Sequence, residues 1–419
     1  MIRLFCEQRD SGHEGEGLGK ISETPFSAEH IVLVGPSVRY LHIASFPLLL
    51  WLIQHGAGQC FPEHLRLKYR MNLINRLRHR SEIRMPITTH RTSSQRHSTF
   101  YRACGPEDGP LVIMTHGWPE LSISWRHQLV FLGQLGYRAV APDMRGYGGS
   151  SLYSEKHAYA QTEIVQDMIE LIDSLGRETA VWIGHDWGSP VAWNVALHHS
   201  DRVSAVASLC VPYGFSGHPD SLEYSINRDL YPVEHYPAGQ WDYQLHYYEN
   251  FDAALQEMEE NPERVVKLLF RKGDPAGQGQ PSATASTRKN GGWFPSTGVP
   301  DMPLDTDVVT PEDISTYAKH LNENGFFGPA AWYVNGDANQ AYLDSAADRT
   351  LSMPVLFVHA TYDYVCDTTT TGFADPMRAL CPNLTEERLA CGHWMAQEKP
   401  AELNTILERW LTEVADYPA

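Results

Sequence analysis

The sequence predicts an α/β protein built on a mostly parallel, doubly wound sheet with a helical insertion. Three observations predict it. Short apolar, β-branched runs at residues 111–115, 180–184 and 354–360 alternate with amphipathic stretches at the spacing of strand–helix units. Two of those runs stop abruptly in glycine-containing turns, His116-Gly117-Trp118-Pro119 and Gly184-His185-Asp186-Trp187-Gly188. Both turns are thereby placed at carboxyl ends of parallel strands, where sheets of this kind bind ligands. The alternation then stops over residues 213–335, where aromatic, helix-forming sequence takes over.

At 419 residues, with 42% hydrophobic and 11% aromatic residues, the chain is long enough for more than one domain and apolar enough to bury a large core. A formal charge of -18 argues against nucleic acid or an anionic membrane surface as a partner. Seven scattered cysteines without a Cys-x-x-Cys spacing point to a reducing compartment, expected to be the cytoplasm, and to no zinc site.

Residues 1–85 differ in texture from the rest. Gly/Glu/Ser-rich sequence leads into an apolar patch at 41–53, broken by His42, Ser45 and Pro47. A basic stretch follows, holding Arg66, Lys68, Arg70, Arg76, Arg78, Arg80 and Arg84. Apolar sequence followed by positive charge is a membrane-topology signal, so membrane association through 41–53 is the alternative location. The patch falls well short of the roughly 20 apolar residues a span needs, and it begins too far from the N-terminus for an ordinary signal peptide. The expectation is an N-terminal extension that is poorly ordered or interfacial, or a segment outside the natural mature protein.

From residue 86 the pattern is that of a compact core, expected over 86–212 and again over 336–419. Residues 87–90 and 98–103 read as strands, followed by the turn Gly105-Pro106-Glu107-Asp108-Gly109. A buried strand over 111–115, a helix over 125–135 and a strand over 137–142 come next. The last ends in the loop Asp143-Met144-Arg145-Gly146-Tyr147-Gly148-Gly149-Ser150, in which Asp143 and Arg145 are expected to form a structural ion pair. An amphipathic helix over 163–175 delivers the chain to the strand at 180, and another strand spans 203–209. The insertion over 213–335 reads as a helical cap, with a Gly/Pro/Ser-rich loop at 273–286. One of its helices is opened by the cap Thr310, the N1 proline Pro311 and the acidic Glu312 and Asp313. The core resumes with strands at 354–360 and near 388–390, and an amphipathic helix over 401–414 closes it.

The chemistry concentrates at strand ends. Asp186 lies on a sharp strand-to-helix turn, with Gly184 and Gly188 two positions either side because a tight turn there leaves no room for a Cβ. Most such turns carry serine, which attacks acyl carbon once a histidine takes its proton. A carboxylate needs no deprotonation at neutral pH. It is poorly suited to attacking an ester and well suited to displacement at a saturated carbon bearing a strained or activated C–O or C–halogen bond. Gly-x-Asp-x-Gly alone reads more readily as a helix cap. The chain order Asp186, Asp363, His393, each just past a strand, turns that reading toward nucleophile, orienting acid and histidine base. Asp367 competes with Asp363 but lies further from its strand end.

Five segments carry a resemblance. They are His116-Gly117-Trp118-Pro119, Gly184-His185-Asp186-Trp187-Gly188, Asp363 with Cys391-Gly392-His393-Trp394, Trp241-Asp242-Tyr243-Gln244-Leu245, and Gly325-Phe326-Phe327-Gly328-Pro329-Ala330-Ala331-Trp332-Tyr333. In that combination the chain from about residue 85 onward resembles the soluble epoxide hydrolases of the α/β-hydrolase superfamily. The resemblance implies an eight-stranded sheet with helices on both faces and an inserted cap. It also implies a two-step hydrolysis of an epoxide to a vicinal diol. Asp186 attacks an oxirane carbon while Tyr243 and Tyr333 protonate the leaving oxygen. Water activated by His393, which Asp363 orients, then cleaves the aspartyl ester, and the amides of Trp118 and Trp187 stabilise the oxyanion. A cis bond before Pro119 is implied as well. A phenol suits the tyrosines' part, since with a pKa of about 10 it keeps its proton at neutral pH.

Other readings stay open at this point. A haloalkane dehalogenase shares the fold and the aspartate but expels a halide, which needs N–H donors and no acid; Trp187 suits that role, whereas Trp118 stands where that family resembles His-Gly-Asn-Pro. A serine esterase is disfavoured by the missing serine. A non-catalytic ligand-binding protein of the same fold is disfavoured by the intact set of reactive groups. No metal or organic cofactor is expected, because the histidines lack ligand spacing and no phosphate-binding glycine loop appears. The expected partners are a small apolar epoxide and water, with a homodimer left open.

Overall fold

The computed structural model describes residues 85–219, 222–294 and 296–414. The expectations for the N-terminal extension, including association through 41–53, lie outside them. Eight strands form one sheet: β1 (Thr88–Ser93), β2 (Ser98–Cys104), β3 (Leu111–Thr115), β4 (Arg138–Pro142), β5 (Ala180–His185), β6 (Val203–Leu209), β7 (Val355–Ala360) and β8 (Leu384–Leu389). Their order across the sheet is β1-β2-β4-β3-β5-β6-β7-β8. The β1–β2 and β2–β4 pairs are antiparallel and every other pair is parallel.

Burial follows position in the sheet. Every residue of β3, β5 and β7 is buried, as the aliphatic runs require of parallel strands covered on both faces. The edges read differently. β1 is Thr-Thr-His-Arg-Thr-Ser and extends beyond the expected 87–90, and β8 begins at Leu384 rather than near 388. Both were hard to place from sequence because an edge strand pairs on one side only and takes polar residues there. In β8, Glu386 and Glu387 meet Arg378 and Arg409 instead of a core.

In the core, helix α1 (Arg126–Gln134) packs on β2 and β4, and α2 (Gln161–Ser174) packs on α3 (Gly188–His198), which covers β5 and β6. Between β6 and β7 the chain forms α4 (Asp242–Glu249), α5 (Phe251–Glu259), α6 (Pro262–Leu269), α7 (Pro311–Asn324), α8 (Phe327–Ala331) and α9 (Gly336–Asp344). The start of α7 is built as its sequence implies. Thr310 Oγ1 accepts the Asp313 amide at 3.1 Å, and Asp313 Oδ2 accepts the Thr310 amide at 2.9 Å, with Pro311 at the first helical position. After β7 come α10 (Asp375–Leu380), α11 (Met395–Glu398) and α12 (Pro400–Val414), which packs on β8 and α1.

The expected Asp143–Arg145 pair does not form. Arg145, 2% exposed, donates from Nε and Nη2 to Asp167 on α2 at 2.7 and 2.8 Å. Asp143 instead accepts the amides of Ser122 and Gly149 at 2.9 and 2.8 Å, tying the β4 loop together. Proximity in sequence suggested the wrong partner, since a buried guanidinium needs a planar carboxylate in its plane and Asp143 is already committed to backbone donors. Replacing Asp167 by Ala removes the only close carboxylate of the buried Arg145, leaving it the Ala158 carbonyl at 3.0 Å and Glu163 at 3.7 Å, and takes a partner from Arg96 as well, so urea unfolding of that variant should show a loss of about 3–5 kcal/mol. A loss under about 1 kcal/mol would contradict this account of the pair.

Candidate active site

β5 ends at His185 and α3 begins at Gly188, leaving Asp186 and Trp187 to make the turn. Asp186 has φ 48°, the left-handed region that side-chain-bearing residues rarely adopt. Its neighbours permit this. A Cβ on Gly184 would lie 2.5 Å from the Gly188 carbonyl oxygen, and one on Gly188 would lie 2.2 Å from the Thr115 carbonyl oxygen. A Cβ on Gly117 would lie 2.3 Å from Asp186 Oδ1. The Asp186 carboxylate does not cap α3, which has no side-chain cap. It turns toward β3's loop, where Oδ1 accepts the Trp118 amide at 2.7 Å, and it also takes a backbone hydrogen bond from Trp187. The Trp118–Pro119 peptide is cis.

His393, in the loop after β8, donates from Nδ1 to Asp363 Oδ2 at 2.7 Å and holds Nε2 3.6 Å from Asp186 Oδ2. The second separation exceeds a direct hydrogen bond, so the ring faces the aspartate without engaging it. Asp363 Oδ1 accepts the amides of Val365 and Cys366 at 3.1 and 2.9 Å. Asp367, the sequence competitor, accepts the amides of Thr369 and Thr370 at 2.9 Å.

The two aspartates are electrically distinct. Burial raises the Asp186 carboxyl above its ordinary range, and the charge of His393 only partly offsets this. Burial also works on Asp363, but the His393 charge, the bond to that ring and two backbone donors outweigh it, so its pKa falls. Burial would lower His393, yet the Asp363 charge and hydrogen bond hold it well above the usual histidine value.

Two phenols come down from the inserted helices. Tyr243 lies on α4 and Tyr333 in the turn after α8; both are buried, with ring centroids 5.7 Å apart. Tyr333 is fixed by Tyr247, stacked at 4.8 Å, and by the edge of Trp187 at 5.1 Å. Burial pushes both phenols well above the usual tyrosine range, which keeps them protonated. Asp186, Trp187 and Tyr243 line one cavity, closed by Val211, Phe215, Trp241, Gln244 and Cys366. The structure therefore brings together Asp186, Asp363, His393, Tyr243, Tyr333, Trp118, Trp187 and Pro119 at the carboxyl ends of β3, β5, β7 and β8.

The family described as alpha/beta hydrolase fold matches residues 110–400. Epoxide hydrolase A of Mycobacterium tuberculosis is 33% identical over 319 residues, which cover 74% of this chain and 92% of that protein. The chain belongs to the epoxide hydrolases of the α/β-hydrolase fold. The bifunctional epoxide hydrolase 2 of Sus scrofa is 37% identical over 312 residues, 74% of this chain and 53% of that protein. The chain thus spans about half the length of the curated mammalian relatives it matches. Among solved structures, epoxide hydrolase A from Mycobacterium thermoresistibile aligns with a TM-score of 0.63 at 31% identity, covering 79% of this chain and 99% of that one.

Among the described residues of this epoxide-hydrolase fold, two sets of side chains gather metal-capable atoms within 4.8 Å, His185–Cys210–His393 and Asp363–Cys366–His393. Both depend on His393, whose Nδ1 already meets Asp363. Burial pushes the Cys210 thiol up to about 12, so that set lacks a thiolate at neutral pH.

Sequence reasoning missed a second acid–histidine pair behind the first. Glu120 and His185 are both buried, with Glu120 Oε1 2.6 Å from His185 Nδ1 and 3.0 Å from the Gly117 amide that donates to it. His185 Nε2 donates to the His393 carbonyl at 2.8 Å. Both ring nitrogens face oxygens, so the ring bridges the Glu120 carboxylate and the His393 carbonyl. The pair therefore ties the loop after β3 to the loop after β8. Its only sequence signal is adjacency, since Glu120 follows Pro119 and His185 precedes Asp186.

Burial acts to raise Glu120, but the charge and hydrogen bond of His185 outweigh it and hold the carboxyl at about 2, below an unfolded value of 4.5. A depressed acid stabilises the fold above its unfolded pKa, and that contribution is lost as pH falls toward about 2. The shift amounts to about 3 kcal/mol. The stability gap between wild type and Glu120→Gln should narrow by about that much from pH 6 to pH 2 in denaturant titrations. A gap that stays constant with pH would refute the assignment.

Proposed function

We propose that this chain hydrolyses epoxides to vicinal diols through a covalent ester on Asp186. The observation that carries the reading is a buried carboxylate that shares a cavity with the protonated phenol of Tyr243, beside which the protonated phenol of Tyr333 packs with ring centroids 5.7 Å apart. Asp186 attacks an oxirane carbon from the cavity floor. The C–O bond breaks, and the departing oxygen takes a proton from Tyr243 or Tyr333. Phenols rather than N–H donors opposite the carboxylate favour an oxygen leaving group over a halide.

The second step uses the opposite wall. His393 Nε2 removes a proton from water, which attacks the Asp186 carbonyl carbon. The resulting oxyanion lies where the Trp118 and Trp187 amides already meet the carboxylate. Collapse of that intermediate breaks the ester bond; the departing alkoxide takes the proton held by His393 and leaves as the diol, and the acid proton of the regenerated Asp186 returns to the phenolate, restoring both groups. Part of what holds the His393 pKa up in the resting protein is the negative charge of Asp186. Esterification removes that charge, so the imidazole becomes easier to deprotonate at the point where it must act as a base. Base catalysis is lost as pH falls below the His393 pKa of the ester state, and the ester then accumulates.

Each of Tyr243→Phe and Tyr333→Phe should lower the rate of ester formation by about tenfold or more, and the double variant by about 10²- to 10⁴-fold. Wild-type rates in all three would remove the phenols from the mechanism. His393→Gln should form ester but hydrolyse it about 10²- to 10⁴-fold more slowly, visible as substrate-sized added mass on the intact protein. In a single turnover in heavy-oxygen water the first diol should carry unlabelled oxygen from Asp186, and immediate incorporation from solvent would reject the ester.

A further inference from the structure

We infer that Gln244 makes this site select oxiranes carrying a hydrogen-bond donor, such as a hydroxyl on the carbon beside the ring. The inference rests on the reading of the site as an epoxide-opening centre. Gln244 follows Tyr243 on α4, is 1% exposed, and lines the cavity it shares with Asp186 and Tyr243. Its Nε2 donates to the Tyr243 hydroxyl oxygen at 3.5 Å, a long bond. Its Oε1 is buried and has no hydrogen-bond partner.

A buried carbonyl with no donor is uncommon in folded proteins and calls for a reason. No residue of the remaining lining donates to it, Trp187 with its indole N–H included. Val211 and Phe215 are apolar, and Trp241 commits its indole N–H to Ser225 Oγ at 2.8 Å. Cys366 is engaged with Cys210. The amide's orientation also follows from the chemistry. A carbonyl turned toward Tyr243 would draw off the phenolic proton that the oxirane oxygen needs. An N–H turned toward the Tyr243 oxygen leaves that proton free and helps the oxygen bear charge as the proton moves. The carbonyl is then left to the ligand, and a site with an unpaired acceptor discriminates against ligands that cannot donate to it.

The test uses phenylglycidol, its methyl ether and the oxide of β-methylstyrene, which share an aryl oxirane and differ in whether a donor stands beside it. After correction for their uncatalysed reactivity, the wild type should favour the alcohol by about tenfold in kcat/KM over the other two. Gln244→Met and Gln244→Leu should reduce that ratio to about one. A wild type that opens all three with equal efficiency overturns the inference without touching epoxide hydrolysis, and this comparison needs no folded variant. A ratio unchanged in the variants overturns it as well. So does an equal loss on all three substrates, which would mean that Gln244 only supports Tyr243 or holds water. A wild type that opens none of them removes the parent reading, and this one with it.

Discussion

One left-handed residue governs the layout of this molecule's reactive centre. Holding a side-chain-bearing residue at φ 48° costs on the order of 1–2 kcal/mol, and it persists only where surrounding packing leaves no alternative. That packing is supplied by β3 and β5 running side by side. Thr115 Oγ1 donates to the Gly188 carbonyl at 2.8 Å, and the glycines at 184, 188 and 117 let three stretches of backbone approach closely. The consequence is a carboxylate lifted above the sheet, where the Trp118 amide meets it on one side and the phenols of the inserted helices face it on the other.

Burial then sorts chemically identical groups into different parts. Asp186 and Asp363 are both enclosed and each accepts two amides, yet one is pushed up and the other down, because Asp363 owns a short bond to His393 whereas Asp186 stands apart from that ring by 3.6 Å. The distance keeps the carboxylate unpaired from the base, as a nucleophile for carbon requires. It also leaves the imidazole to meet water later. Behind this arrangement, Glu120 and His185 bind the two loops that carry the amide donor and the base, so their relative position depends on a buried acid–histidine hydrogen bond rather than on loop packing alone.

The aromatic wall around the phenols has a related logic. Trp118, Tyr247, Trp293, Tyr243 and Tyr333 touch one another edge to face or stacked, so the phenolic oxygens are positioned by rigid rings with few rotamers. Rigid rings exclude water from the phenols and preserve their protons. They also make the polar atoms left among them, such as Gln244 Oε1, conspicuous.

The sequence by itself determined the parallel sheet and the place of its reactive turns, because alternating periodicity and glycine spacing are local consequences of backbone geometry. It also supplied Asp186, Asp363 and His393 in order: Asp186 and Asp363 each follow a strand whose apolar run is plain, and His393 follows Gly392 just past the last strand. Tertiary structure alone decided which charges pair. Arg145 found Asp167 across a loop and a helix rather than Asp143 two residues away, and Glu120 found His185 65 residues on. Pairing of buried charges depends on which atoms end up facing one another in three dimensions, and no periodicity in one dimension records that. The bounds of the polar edges β1 and β8 escaped for the complementary reason: a strand held by one neighbour needs no apolar signature along its length.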